Sequence, residues 1–263
     1  MCENEVIKLI PSRLSKTDTD IELGKYMDWF YSFPFINGAV NQLQDTTLQN
    51  IHNTRAELVF PLLDEIFKEK WISTRCLDLA CHQGWFTMQT ALRGTSDITG
   101  LDIRKEHIEK ANLIKDISGL KNISFMEENL YNIKANEYGK FDIVFFLGIL
   151  YHIDSPLEAL RIVRSLTKNI CVIETQVARS APELECAWGS NPVLFKGPGI
   201  ALVESDEAHA EGGRAITMVP TLDALYQMLY SVGFSRVFLS IPTRKMFKQY
   251  CDYDRVVVFA QVT

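Results

Sequence analysis

The sequence predicts an α/β protein built on a mostly parallel sheet, and three observations carry that reading. Between about residues 75 and 174, five short apolar runs alternate with helix-patterned segments, the alternation that builds parallel sheets. The run Phe141-Asp-Ile-Val-Phe-Phe-Leu147 is apolar on both faces, as a central parallel strand covered by helices must be. The run Cys76–Ala80 ends in a tight turn, Cys81-His82-Gln83-Gly84, that leads straight into a helix. A helix N-terminus after a strand presents backbone N–H groups and a positive dipole end at the carboxyl edge of the sheet, where α/β proteins bind their ligands. Asp78 lies inside that first strand, and a buried carboxylate is costly unless something pairs with it.

Taken in order, residues 1–20 are polar toward their end, with Pro11 and Thr17-Asp-Thr-Asp20, and read as a mobile arm. Residues 21–36 hold Tyr26, Trp29, Phe30, Tyr31, Phe33 and Phe35. So dense an aromatic cluster either plugs the domain or walls a pocket. Residues 54–70 read as a helix with Leu58, Leu62, Leu63, Ile66 and Phe67 on one face, interrupted early by Pro61. After the first strand, a helix over about 84–92 leads to the second, Asp97-Ile-Thr-Gly-Leu-Asp102-Ile103. The next helix, about 104–117, repeats Ile108, Ala111, Ile114 and Ile117 at three-residue spacing. Strands follow at 122–126, 141–147 and 169–174, the last ending in Glu174. Ser155-Pro-Leu-Glu158 predicts a capping box, with Ser155 at the N-cap and Pro156 at the first helical position.

Residues 176–218 break the alternation. They are too long for an ordinary connection and read as a lid insertion over the sheet edge. Its acidic residues, Glu183, Glu185, Glu204, Asp206, Glu207 and Glu211, would repel polyanions. Thr221 then caps a helix that stops at Gly233, and two strands, 236–241 and 255–262, finish the chain. The link between them is short enough for an antiparallel hairpin. The domain reading is an N-terminal arm and aromatic cap over 1–55, then one domain over 56–263 carrying the 176–218 insertion.

Composition narrows the function. The 263 residues carry a formal net charge of −6, with no basic stripe, so nucleic acid is not the expected partner. Cysteines 2, 76, 81, 171, 186 and 251 are spread singly, without zinc-ligand spacing, so no metal is expected. Reduced thiols and an N-terminus without a signal-peptide core point to the cytoplasm. No apolar run approaches the roughly 20 residues needed to cross a bilayer.

A family resemblance rests on these motifs. Leu77-Asp-Leu-Ala-Cys-His-Gln-Gly84 resembles the first motif of class I S-adenosylmethionine-dependent methyltransferases. Asp102 resembles their ribose-binding acid, and Phe141 through Ser155-Pro156 resembles their fourth motif. The resemblance covers about residues 55–263. It implies a Rossmann-like seven-stranded sheet, mostly parallel with an antiparallel final strand, helices on both faces and an N-terminal helical cap. A nucleotide dehydrogenase would need glycines at Gly-x-Gly-x-x-Gly spacing, and only the last is present here. Leu147-Gly-Ile-Leu-Tyr-His152 and Ser155-Pro-Leu-Glu-Ala-Leu160 look most like the tRNA wobble-uridine carboxymethyltransferase branch and its relatives. That branch surrounds the donor's extra carboxylate with Lys and Trp before the first motif. Residues 36–58 contain neither, which favours the ordinary methyl donor.

The resemblance implies S-adenosyl-L-methionine as donor, S-adenosyl-L-homocysteine as product, and a direct displacement at the sulfonium. Asp102 would accept hydrogen bonds from the ribose hydroxyls, and Ile103 would lie on the adenine face. Asn129, with Leu130 beside it, would meet the adenine amino group. Asp78 would reach the donor's amino end, with Ala80, His82 and Gly84 turning beside it. Leu147 would border the methionine part. Tyr151 and His152 would face the reacting centre, His152 either as a general base or as a ring that braces the loop. Three functions are compatible with these residues. The first is methyl transfer to a small-molecule acceptor, as in secondary metabolism. The second is tRNA wobble-uridine (carboxy)methylation, and the third is a non-catalytic donor-binding subunit.

Overall fold

Each apolar run becomes a strand in the expected place: β1 (Arg75–Leu79), β2 (Asp97–Asp102), β3 (Ile123–Glu127), β4 (Phe141–Leu147) and β5 (Thr167–Gln176). The computed structural model describes residues 6–179, 184–188, 191–195, 199–205 and 215–263. Within 176–218 it shows two antiparallel hairpins, β6 (Leu184–Trp188) with β7 (Asn191–Phe195) and β8 (Ile200–Ser205) with β9 (Ala215–Pro220). Of the acidic residues expected on a lid there, Glu183, Asp206, Glu207 and Glu211 fall outside the described residues, and Glu185 and Glu204 are described in backbone alone. The chain closes with β10 (Arg236–Leu239) and β11 (Arg255–Gln261).

The main sheet has seven strands in the order β10-β11-β5-β4-β1-β2-β3. Pairs from β5 through β3 are parallel, and β11 runs antiparallel to both β5 and β10. This is the expected Rossmann-like sheet with its one reversed strand. Starting at β1, the order runs outward in both directions, so the carboxyl ends of β1 and β4 open side by side at the switch point.

Eight α-helices pack around the sheet among the described residues, and their faces follow the sequence periodicity. On one face of the sheet lie α2 (Gln49–Phe67), α3 (Trp85–Ala91) and α4 (Lys105–Ser118), preceded by α1 (Lys16–Leu23) in the N-terminal segment. Ile108, Ala111, Ile114 and Ile117 of α4 are buried, and Gly119 ends the helix in the left-handed region at φ 73°. After the one-turn α5 (Ala135–Tyr138), the other face carries α6 (Pro156–Leu166) and α7 (Leu222–Ser231), with Leu160, Val163, Leu225 and Leu229 fully buried. A single turn, α8 (Lys248–Cys251), sits in the link between the last two strands.

Three local expectations are corrected. Residues 6–20 are not a mobile arm. Ile10 is fully buried, its N–H donates to Pro34 O, and its carbonyl accepts from Ile36 N, each at 2.9 Å. Arg13 N also donates to Ile117 O of α4 at 2.9 Å. Pro61 does not interrupt its helix: α2 starts at Gln49 and continues through it. A helix-interior proline costs about 3 kcal/mol, and the burial of Leu58, Val59, Phe60 and Leu63 around it exceeds that. Ser155 holds the N-cap position of α6, but its ψ of 61° departs from the extended value of N-caps, and its hydroxyl makes no capping bond.

Among the described residues, no helix is long and apolar enough to cross a membrane.

Candidate functional site

The turn after β1 takes a sharply alternating course. Ala80 (φ 56°), His82 (φ 53°) and Gly84 (φ 76°) are all left-handed, while Cys81 N donates to Leu101 O at 2.8 Å and His82 N to Asp102 Oδ2 at 2.8 Å. The zigzag therefore points two successive N–H groups at the end of β2 and ties the two strand ends together. A side chain at Gly84 would be strained twice over, by the φ of 76° and by a Cβ 2.4 Å from Phe125 Cζ. Gly100 on β2 is equally confined, with Phe125 at 2.7 Å and Thr87 Oγ1 at 2.9 Å from a notional Cβ.

Asp102 ends β2 and is buried. Besides His82 N, its carboxylate accepts from Arg104 N at 2.9 Å, and His107 Nδ1 lies 3.1 Å from Oδ1. Burial pushes its pKa up, but the His107 hydrogen bond and charge and the two backbone donors outweigh burial and hold it below the ordinary value. The His82 ring stacks on His107 with centroids 3.7 Å apart. Burial, then the neighbouring His107, drives the His82 pKa well down, and its Nδ1 has no hydrogen-bond partner. Asp78, one residue before the end of β1, accepts from the Thr87 hydroxyl at 2.6 Å. Burial raises its pKa to about 7 despite Thr87, and the charge on Asp102 adds to the rise.

An aromatic strap crosses this edge. Gln83 in the turn holds it: Gln83 Oε1 accepts from Phe30 N at 2.9 Å, and Nε2 donates to Asp28 O at 3.1 Å. Trp85 Nε1 donates to Ser32 O at 2.9 Å. Trp29, Phe33 and Phe35 are core residues, so much of the cluster is packing. Phe30 instead stacks on His82 at 4.8 Å, and both Phe30 and Tyr31 press on His52 of α2, at 4.7 and 4.3 Å. Plug and wall are thus different residues of one strap.

Beyond Tyr31, at the ends of β4 and β5, lies a polar cluster. Glu174 is 0% exposed. Its Oε1 accepts from Arg255 Nη1 at 2.8 Å and from the Tyr250 hydroxyl at 2.9 Å. Its Oε2 is 3.2 Å from Arg55 Nη2 but has no aligned hydrogen bond. Arg55 also donates to the hydroxyls of Tyr31 and Tyr250, and Arg255 to the hydroxyl of Tyr151 at 3.0 Å. The glycine after β4, Gly148, borders the cluster, its notional Cβ 3.6 to 3.8 Å from Glu174 Oε2, Tyr151 Oη and Arg55 Nη2. Burial alone would lower the arginine pKa values, and Glu174 more than reverses it for both. Tyr31 is pushed up to about 12 by burial.

The structure brings Asp78, Ala80, His82, Gly84 and Asp102 to one sheet edge, as expected, with Leu147 buried at the end of β4. Ile103 is 38% exposed beside Asp102. Asn129, followed by half-buried Leu130, follows β3, with its Oδ1 accepting from Tyr131 N at 3.0 Å. Tyr151 belongs to the polar cluster. The exposed His152 tilts against the Tyr151 ring at 4.2 Å. Sequence reasoning did not single out His52, Arg55, His107, Tyr250 or Arg255. One signal was available: His52 and Arg55 stand three residues apart on a helix face otherwise made of Ile51, Leu58 and Val59.

The methyltransferase domain family matches residues 72–217 of this chain. A tRNA U34 carboxymethyltransferase of Desulfotalea psychrophila is 28% identical over 103 residues, 38% of this chain and 31% of the relative. A ubiquinone biosynthesis O-methyltransferase of Vibrio parahaemolyticus is 29% identical over 121 residues, 46% of this chain and 48% of the relative. The matches thus span less than half of these curated relatives. Among solved structures, the N-terminal domain of EvdMO1 with S-adenosylhomocysteine bound superposes over 99% of this chain and 100% of its own, with a TM-score of 0.68 at 18% identity. Magnesium protoporphyrin IX methyltransferase from Synechocystis PCC 6803 covers 85% of this chain and 90% of its own, with a TM-score of 0.55 at 13% identity. The structural likenesses show the shared fold. With the family match across more than half the chain and the motifs at their expected places, the chain belongs to the methyltransferase domain family, within the class I S-adenosylmethionine-dependent methyltransferases.

Proposed function

We propose that this S-adenosylmethionine-dependent methyltransferase acts on a small-molecule acceptor held beside Gly148, between the strap, α2 and the ends of β4 and β5. One observation carries the reading. The reacting end of the site is walled by side chains that are themselves buried and polar, Tyr31, Arg55, Glu174 and Arg255, and not by an open basic surface. The net charge of −6 supports a small acceptor over a polyanion.

The residues present fit the donor. Asp102 offers carboxylate oxygens to the ribose hydroxyls, a role charge-assisted acceptors fill best. Ile103 is exposed where an adenine face would lie, with Asn129 and Leu130 at its far end. Asp78, buried and poised near neutrality, suits the donor's ammonium. Ala80, His82 and Gly84 line the bend, where His82 Nδ1 has no hydrogen-bond partner. Leu147 borders the methionine part.

The bound donor supplies an electrophilic methyl on a sulfonium, so the protein's task is to place the acceptor in line. His52 serves this by remaining neutral. Burial, then Arg55 and Arg255, lower its pKa to about 3, which keeps an added positive charge away from the sulfonium. Tyr151 is oriented by Arg255, and His152 packs on Tyr151 from the exposed side. Residues before about 55 act as a cap that shares α2 with the domain it covers.

The test is label transfer from S-adenosylmethionine with a radioactive methyl group, offered a small-molecule extract and, separately, bulk tRNA. Label in the small-molecule fraction is expected. Label confined to tRNA overturns the small-acceptor reading and favours the activity named for the Desulfotalea relative.

A further inference from the structure

The polar cluster beside Gly148 does not balance its charge. Two buried guanidiniums, Arg55 and Arg255, share one buried carboxylate, Glu174, and the other groups bonded to them are neutral, three phenols and the Gln249 amide oxygen. A buried charge without a partner is costly, so a net positive cluster at the closed end of a site is expensive as it stands. The cluster is also incompletely bonded. Glu174 Oε2 lies near Arg55 without an aligned hydrogen bond, and neither ring nitrogen of His52 has a partner although His52 is only 2% exposed. Neutral His52 has one ring N–H to donate to an anionic ligand, while Glu174 Oε2 keeps the Arg55 charge 3.2 Å away.

The donor does not restore the balance. S-adenosylmethionine brings a carboxylate, an ammonium and a sulfonium, one positive charge in all, which the Asp78 carboxylate at most cancels. Asp78 can answer the ammonium, and Asp102 is engaged by His82, Arg104 and His107 at the ribose end. The region around Gly148 therefore stays one positive charge in excess with the donor in place.

Resting on the small-acceptor reading, we infer that the acceptor is a carboxylate-class monoanion, seated on Arg255 at the side where Tyr151 leaves the cluster half-open. Arg255 Nε donates to Gln249 Oε1 and Nη1 to Glu174 and Tyr151, so Nη2 is the donor left for a carboxylate, one charge-assisted bond from the guanidinium. One excess charge suits a monoanion, and a phosphate dianion would overshoot it. Arg255 reaches this position by stacking its guanidinium over the Tyr151 ring at 4.9 Å while Glu174 holds its Nη1 at 2.8 Å. Arg55 stays on the far side of Glu174, so the two arginines are not interchangeable.

The experiment uses the full chain saturated with S-adenosylhomocysteine, at pH 7 and constant ionic strength. The probes are benzoate, 4-hydroxybenzoate and hexanoate, each against its neutral amide, with affinities read by ligand-observed NMR. The expected result is at least tenfold tighter binding of one or more acids than of the matching amide. That preference shrinks below threefold in Arg255→Gln and persists in Arg255→Lys. S-adenosylhomocysteine affinity, measured on both variants, stays near wild type, and thermal denaturation shows both folded at the assay temperature, with Arg255→Gln melting lower because Glu174 loses a buried partner. Equal binding of acids and amides, or binding of neither, overturns the inference. So does a parallel loss of S-adenosylhomocysteine affinity in Arg255→Gln, because the cluster would then serve the donor's own carboxylate. The small-acceptor reading fails separately, through label appearing only in tRNA.

Discussion

Replacing Asp102 by asparagine tests the donor-binding edge at its centre. In the structure Oδ1 already faces Arg104 N and His107 Nδ1, and Oδ2 faces His82 N. A carboxylate oxygen has about two acceptor sites, so one site on Oδ2 is open and the other hydroxyl of a ribose must displace His107. The amide of Asp102→Asn keeps one oxygen, loses the charge, and turns an NH2 group toward either His82 N–H or Arg104 N–H. A hydrogen bond to a charged group contributes about 1.5–3 kcal/mol. Losing one such bond to the ribose weakens donor binding roughly 10- to 100-fold, at about 1.4 kcal/mol per factor of ten. The stranded backbone N–H costs stability as well, about 1–3 kcal/mol for an unsatisfied buried donor. Calorimetric titration with S-adenosylhomocysteine reads the first effect and thermal denaturation the second. If the Asp102→Asn variant binds within twofold of wild type while folded, Asp102 does not grip the ribose and the edge binds something else.

Gly84→Ala should lower stability by about 2 kcal/mol or more, since left-handed strain adds to a Cβ placed 2.4 Å from Phe125; a melting temperature within a degree of wild type would contradict the packing described. Asp78 predicts a pH dependence. Its folded pKa, about 7, lies above the ordinary carboxylate value, so the ligand-free fold binds the extra proton and this group's contribution to stability falls as pH rises toward 7. A donor ammonium favours the ionised form, so S-adenosylhomocysteine affinity should rise by up to about tenfold per pH unit below 7 and level off above. Thr87→Val, which removes a hydrogen bond that lowers this pKa, should move the curve to higher pH, and a flat profile between pH 5.5 and 7.5 would refute the pairing. His152→Gln should lower turnover with donor affinity unchanged, and full turnover in the variant would remove His152 as a base.

What the sequence showed was whatever is local. Asp78, the turn and Gly84 fall within seven residues, and Asp102 ends the very next strand, so one strand–turn–helix–strand pattern delivered the donor edge in register. Glu174 was visible for the same reason, as a charge ending an apolar strand. The acceptor end was not legible because it is assembled across the chain. Arg55 meets Tyr250 across 195 positions, and Arg255 meets Tyr151 across 104. No period in the sequence encodes such meetings; the reversed last strand makes them by carrying Arg255 opposite Gln176 at the end of β5. Pro61 and residues 6–20 misled for a related reason: local propensity argued for a break and a loose arm, and burial against the core overruled both.

The backbone conformation of the first turn connects stability to the site. Left-handed non-glycine residues cost of order 1–3 kcal/mol each, and Ala80 and His82 are two of them within three positions. Regular extension of β1 would avoid that cost, but successive N–H groups would then point to opposite sides of the strand. The alternation at 80, 82 and 84 aims Cys81 N–H and His82 N–H the same way, at Leu101 O and Asp102 Oδ2. The strain is thus converted into a fixed carboxylate. His82 N–H holds one oxygen, Arg104 N–H holds the other, and the His82 ring, carried outward by the same turn, stacks between Phe30 and His107. A glycine at 82 would reach the same φ at lower cost, but it would remove the ring that joins the strap to the donor edge. That dual duty accounts for a histidine, tolerant of positive φ, at this position.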